Sequence, residues 1–182
     1  MPNPALPKFP ASMRPDLPNH GRETLETLIR PATRDDVPAL GRLGALMVTT
    51  HHTFDPKRFI DAGPHTETGY GSFLGSQVDE PDIIVLVAVT ENQVIGYTYA
   101  GLEGLDYMSL RGPAGVLYDI VVDPAHRRGG VGRALLDATI ASLEARGAPM
   151  VVLSTAERNE AAQRLFASAG FRRTMIEMTR DL

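Results

Sequence analysis

The stretch Arg127-Arg128-Gly129-Gly130-Val131-Gly132-Arg133 constrains the fold of this chain more than any other. An apolar, β-branched run, Val116 to Val122, leads into it through Asp123-Pro124, and a helical pattern, Ala134 to Arg146, follows. A strand that breaks into a glycine-rich turn and reopens as a helix exposes the unpartnered N–H groups of the helix's first turn. The helix macrodipole adds partial positive charge at the same place. Such a turn holds an anion. Glycines let a phosphate approach the backbone closely, and arginines add long donors. A phosphate-bearing ligand is the expectation, against the plainer reading of a glycine turn with solvated arginines.

The elements around this turn alternate. Thr27 to Arg30 reads as a first strand. A helix follows, capped at Asp36 because Pro38 is tolerated only in a first turn, and it presents Leu40, Leu43, Leu46 and Met47 on one face. His51 to Asp61 reads as a turn and short helix, and Thr68 to Val78 as another short helical piece. Ile83 to Val89 is a continuous apolar run, hence a buried strand, and Glu91-Asn92 turns it into a hairpin with Val94 to Leu102. After a glycine-rich loop, Glu103 to Ala114, comes the strand Gly115 to Val122, then the turn and its helix, stopped at Arg146-Gly147. Pro149 to Ser154 reads as a strand, Asn159 to Ala169 as a helix ended by Gly170, and Phe171 to Thr179 as a last strand. This order predicts an α/β domain, a mixed sheet with helices on both faces.

Residues 1 to 24 differ from the rest. Prolines at positions 2, 4, 7, 10, 15 and 18 exclude a helix or central strand there, so an extended or disordered arm is expected ahead of a single domain over 25–182. The formal charge of −4 argues against nucleic acid as a partner. The absence of cysteine excludes disulfides, thiolate metal sites and a covalent acyl-cysteine intermediate. No apolar run approaches membrane-spanning length, and no signal peptide pattern opens the chain, so a cytoplasmic location is expected.

Two phosphate-binding patterns fail on the turn. A P-loop needs Lys-Ser or Lys-Thr after its last glycine, where this chain has Arg133-Ala134, and a dinucleotide fingerprint needs a third glycine where Leu135 stands. What remains, Arg127-x-x-Gly130-x-Gly132 after a Val-Asp-Pro strand end, resembles motif A of the GNAT acyl-CoA N-acyltransferases. A second stretch supports it: Asn159-Glu160-Ala161-Ala162 through Leu165-Phe166 to Gly170-Phe171 is similar to that family's Asn-x-x-Ala…Leu-Tyr-x-x-x-Gly-Phe pattern. The resemblance covers residues 27 to 182 and implies acetyl transfer from acetyl-CoA to a primary amine. It also implies that Arg127, Arg128, Gly129, Gly130, Val131, Gly132 and Arg133 hold the pyrophosphate. By the same resemblance the main chain of Ile120, Val121 and Val122 meets the pantetheine and the thioester, and Asn159 the pantetheine arm. Dimers are frequent among relatives, which leaves a homodimer open.

Some of these residues have plainer readings. Asn159 is also a good helix N-cap, and Gly170 a C-cap. Phe166 stands where many relatives carry a tyrosine thought to protonate the departing sulfur. A phenylalanine cannot do so, yet a thiol of pKa about 8.5 leaves as thiolate for roughly 2 kcal/mol at neutral pH. The larger task is the amine, which with a pKa near 10.4 is protonated and inert until a base removes a proton. By resemblance that base belongs on the strand before the turn, at Asp119 or Tyr118. Alternation points these two to opposite faces unless a bulge intervenes. A coenzyme A-binding module without catalysis is the rival reading. The acceptor pocket is expected among His51, His52, Phe54, Tyr70, Tyr97, Tyr99, Glu103, Asp106 and Tyr107. No histidine spacing suggests a metal site.

Overall fold

The apolar run Ile83–Thr90 (β2) cannot expose either face, and the chain buries it inside a sheet, away from both edges. The computed structural model describes residues 26–182, so the proline-rich leader lies outside the described residues. Five strands, Leu28–Pro31 (β1), β2, Gln93–Glu103 (β3), Ala114–Val122 (β4) and Val151–Leu153 (β5), stand in sequence order. The first four are antiparallel and β5 runs parallel to β4. The β2–β3 turn places both Glu91 (φ 49°) and Asn92 (φ 62°) in the left-handed region, the pairing that suits a tight hairpin.

Helices Val37–Phe54 (α1) and Thr66–Gln77 (α2) cover one face, and Val131–Ala145 (α3) and Glu160–Ser168 (α4) the other. Under α1 and α2 lie Leu40, Leu43, Leu74, Val87, Tyr97 and Val121. Under α3 and α4 lie Leu86, Ile95, Leu117, Leu135, Leu143 and Phe166. This is the α/β mixed sheet with helices on both faces that the element order predicts.

Three local expectations are corrected. Asp36 does not cap α1 through its side chain; it closes a capping box with Thr33 around a 3-10 turn, Arg34–Asp36, and takes a two-pronged ion pair from Arg30 at 2.7 and 2.9 Å. The helix α1 runs on through His51 and His52 to Phe54, where the sequence suggested a break. No strand forms over 171–179. The Phe171 N–H turns back to the Phe166 carbonyl after Gly170 (φ 88°), and the tail leaves the sheet. Met175, Ile176 and Met178 fall on both sides of any strand drawn there, and β5 offers only three residues of edge. Instead Glu177 and Asp181 pair with Arg58 and Lys57 beyond the end of α1.

Candidate active site

The turn before α3 keeps its main-chain donors free. Gly130 is the helix N-cap at φ 86°, a conformation that only glycine adopts without strain, and it has no side chain to occupy the first-turn N–H groups. Arg128 adds a second left-handed residue at φ 65° and is exposed. Two arginines are already committed: Arg127 donates to the Val122 carbonyl at 2.9 Å, and Arg133 to Asp137 at 2.8 Å and to the Ser168 carbonyl at 3.3 Å. A Cβ on Gly130 would meet nothing within 4 Å, and one on Gly132 nothing closer than 3.5 Å. The fold itself therefore leaves room above this turn. Val131, by contrast, is buried against the sheet and anchors the helix start.

Beside the turn the sheet opens. Strands β4 and β5 pair only over Gly115–Leu117 and Val151–Leu153, after which they separate. A cavity of about 50 Å³ lies in the gap, lined by Ile120, Leu153, Ser154, Asn159, Ala162 and Phe166, with Met47, His51, Leu117, Thr155 and Tyr118 completing its wall. The Asp123 N–H bonds the Ile95 carbonyl, so alternation turns the N–H of Val121 toward β3 and leaves those of Ile120 and Val122 facing the gap. The Val121 side chain is packed in the α1–α2 core. Asn159 caps α4, its side chain accepting from the Ala162 N–H at 3.2 Å, and it also lines the cavity. Phe166 is buried and edge-on to Phe171 at 5.9 Å.

The bulge that alternation left open is present. Asp119 pairs with Tyr99 and Leu117 with Ala100, so Tyr118 is an extra residue on β4. As a result Tyr118 and Asp119 both meet residues of the α1–α2 side. The Tyr118 ring lies 4.7 Å from that of Tyr99, and its hydroxyl donates to Glu103 at 2.7 Å. Arg111 also pairs with Glu103.

Asp119 is the buried charge of the site, 9% exposed. Its Oδ2 accepts the Tyr70 hydroxyl at 2.6 Å and the Tyr97 hydroxyl at 3.1 Å. Burial pushes its carboxyl up from the usual carboxylate range, opposed by the two phenol hydrogen bonds and by the charge of His51. Burial and the Asp119 charge push Tyr70 and Tyr97 up in turn, so both remain phenols and donors. Tyr118 is also pushed up, by burial and then by Glu103.

Close helix packing aims Tyr70. A Cβ on Gly41 would sit 2.3 Å from the Glu67 carbonyl oxygen, so α1 and α2 touch backbone to backbone. One on Gly44 would sit 2.1 Å from the Tyr70 ring, which occupies the missing side chain's place and reaches across to Asp119.

Of the aromatic and charged residues expected around the acceptor, the structure gathers His51, Tyr70, Tyr97, Tyr99 and Glu103 about Tyr118 and Asp119. Phe54 lies edge-on to His51, and the remaining three lie elsewhere. His52 bonds the Phe59 carbonyl, Asp106 closes its own loop onto Ser109, and Tyr107 is exposed at the hairpin tip. Ser154 and Thr155, which line the cavity, carry no sequence signal that sets them apart from other polar residues after a strand. Among the described residues, no group of three or more His, Asp or Glu could hold a metal ion. No described helix is long and apolar enough to cross a membrane.

A glycine turn at a helix N-terminus thus opens beside a gap between two parallel strands of a mixed sheet. The chain belongs to the acetyltransferase (GNAT) family, whose model matches residues 47–171. Mycothiol acetyltransferase of Thermobispora bispora is 42% identical over 80 residues, 44% of this chain and 25% of that protein. The [ribosomal protein bS18]-alanine N-acetyltransferase of Escherichia coli K12 is 43% identical over 60 residues, 33% of this chain and 40% of that one. The chain thus spans about a quarter of the length of the mycothiol acetyltransferase it matches. Among solved structures, a mutant of the BH1408 protein of Bacillus halodurans superposes with a TM-score of 0.74 at 25% identity, over 85% of this chain and 99% of that one. Aminoglycoside N-acetyltransferase AAC(6')-Iy in complex with CoA shares the fold, with a TM-score of 0.66 at 18% identity, over 86% of this chain and 95% of that one.

Proposed function

We propose that this chain transfers an acetyl group from acetyl-CoA to a primary amine by direct attack within a ternary complex. The observation that carries the reading is the set of main-chain N–H groups at the start of α3, left without a side-chain cap, opening beside a cavity that ends on Asn159 and Phe166. The free N–H groups of Gly130 to Arg133 take the pyrophosphate, with Arg128 the arginine at liberty to reach it. Arg127 and Arg133 hold the turn in shape, and Gly129 and Gly132 leave it open to approach. The Ile120 and Val122 main chain meets the pantetheine arm and the thioester carbonyl, while Val121 keeps the strand on the core. The Asn159 side chain meets the pantetheine arm.

The amine enters on the bulge side of β4. Asp119 assists deprotonation through its negative charge, which stabilises a cationic base that has taken the amine's proton, and Tyr118, tied to Glu103, stays a phenol that lines the approach. No side-chain donor stands at Phe166, so the sulfur leaves as thiolate, a thiol of ordinary pKa about 8.5 needing little help. A small-molecule amine is the first acceptor class to test, and the N-terminus or a lysine of a protein the second.

Thermal shift with acetyl-CoA, against ATP and NAD, tests the first half. Ligand at 100 times its dissociation constant adds roughly 2.7 kcal/mol, which acetyl-CoA alone should supply. Acetylation of an amine above the spontaneous rate tests the second. Binding without any transfer would leave a coenzyme A-binding module.

A further inference from the structure

His51 has no task in the proposed transfer, yet it shares the cavity wall with Tyr118, Asn159 and Phe166. It stands in the last turn of α1, and its Nδ1 lies 2.9 Å from the Met47 carbonyl oxygen. A carbonyl can only accept, so Nδ1 carries the proton, and in the neutral ring Nε2 carries the lone pair. Nε2 has no hydrogen-bond partner among the described residues. It is also not buried, because the buried side-chain polar atom without a partner there is Nδ1 of His126. Phe54 and Phe59 hold the ring edge-on at 5.8 and 5.1 Å. His51 is thus a clamped imidazole with its basic nitrogen open.

Asp119 is poorly placed for the same work. Its carboxylate is nearly enclosed, and Oδ2 already carries two phenol hydrogen bonds. We propose that His51, through Nε2, is the base that takes the proton from the acceptor's ammonium, with Asp119 as the buried charge that favours the resulting imidazolium. This rests on the acetyltransferase reading. The amine nitrogen gives one proton to Nε2, and its lone pair then forms the C–N bond at the thioester carbonyl. The C–S bond breaks, and the second nitrogen proton passes to the thiolate to give free CoA. The imidazolium returns its proton to solvent.

Other groups bear on the pH dependence of this step. On β4 these are Asp119 and Tyr118, and on α2 Tyr70. His52 beside it is engaged by the Phe59 carbonyl. The cations nearby are Arg58, 5.0 Å over the Phe59 ring, and Arg158, hydrogen-bonded to the Phe54 carbonyl.

Wild type and His51→Gln are compared with ethanolamine, glucosamine and an alanine-initiated peptide as acceptors. CoA release is followed from acid to alkaline pH, and acetyl-CoA affinity is measured by calorimetry on the same samples. The expected result is a fall of about 100-fold in kcat/KM with acetyl-CoA affinity kept within twofold. The variant should lose the acid limb that an imidazole base imposes, and added imidazole should restore part of the rate of His51→Ala. An unchanged pH profile in His51→Gln overturns the proposal. So does joint loss of melting temperature and acetyl-CoA affinity, which would make His51 structural. If wild type binds acetyl-CoA and acetylates none of the three amines, the acetyltransferase reading fails, and this proposal with it.

Discussion

The α3 turn and the Asp119 centre lie close together and are built on opposite terms. The turn is one stretch of seven residues, exposed apart from Val131 and Gly132, whose main chain would meet the pyrophosphate in the proposed function. Its side chains mostly stabilise it, as the Arg127 and Arg133 contacts do. The Asp119 centre is buried and made wholly of side chains, brought by β4, β3 and α2 from positions 119, 97 and 70. The centre depends on a bulge, on two hydroxyls, and on a glycine in a helix that touches none of them chemically.

The largest effect expected is at the turn. Gly130→Glu puts a side chain in the left-handed region and a negative charge where the proposed pyrophosphate site lies. Acetyl-CoA affinity should fall more than about 100-fold while the domain still melts cooperatively. Calorimetry and a melt on the same sample decide it. Retained affinity in a folded variant would sink the pyrophosphate assignment.

Asp119→Asn should separate the two regions. The amide oxygen still accepts from Tyr70 and Tyr97, so acetyl-CoA affinity stays and acetyl transfer drops, by about 100-fold. Stability should rise in the same variant. A carboxyl whose folded pKa is raised costs stability at every pH above its unfolded value, and the cost is full above the folded one. The variant should therefore melt higher than wild type at neutral pH, and the advantage should vanish as pH falls below about 4. A lower melting temperature at neutral pH would show that the carboxylate stabilises the fold.

The same contrast decides what could be read in advance. Glycine, proline and N-cap signals are local, so the strand–turn–helix at 127–133, the caps at Asn159 and Gly170, and the hairpin at Glu91-Asn92 are legible in order of residues. The polar pair Tyr118-Asp119 inside an apolar strand is legible as an anomaly, but not which way it faces, because one inserted residue at the bulge reverses the alternation. Tyr70 and Tyr97 were visible as candidates without a partner. Their convergence on one oxygen depends on the approach of α1 to α2, which is written only as glycines that lower helix propensity. The tail over 171–179 misleads for a different reason: β propensity does not say whether an edge is long enough to receive a strand.

Glycine to alanine at two helical positions gives the finest test, since the chemical change is the same. Gly44→Ala drives a methyl group into the Tyr70 ring, with overlap at 2.1 Å. Overpacking of that kind costs about 1–3 kcal/mol, and the ring must swing off Asp119 to relieve it. Acetyl transfer should fall about 10-fold with acetyl-CoA affinity kept. Gly132→Ala meets only Leu165 at 3.5 Å and Val122 at 3.7 Å, both ordinary contacts. Alanine also favours the helix by up to about 1 kcal/mol, less in a first turn. Its melting temperature should hold or rise by a degree or two, and acetyl-CoA affinity should weaken only a few-fold, because a single methyl group then faces the space left for the ligand. If both alanines destabilise alike, Gly132 is serving the packing of α3, and the openness of the turn is incidental. If Gly132→Ala is neutral in both stability and affinity, the phosphate does not approach there, and the anion sits on the Gly130 side of the turn.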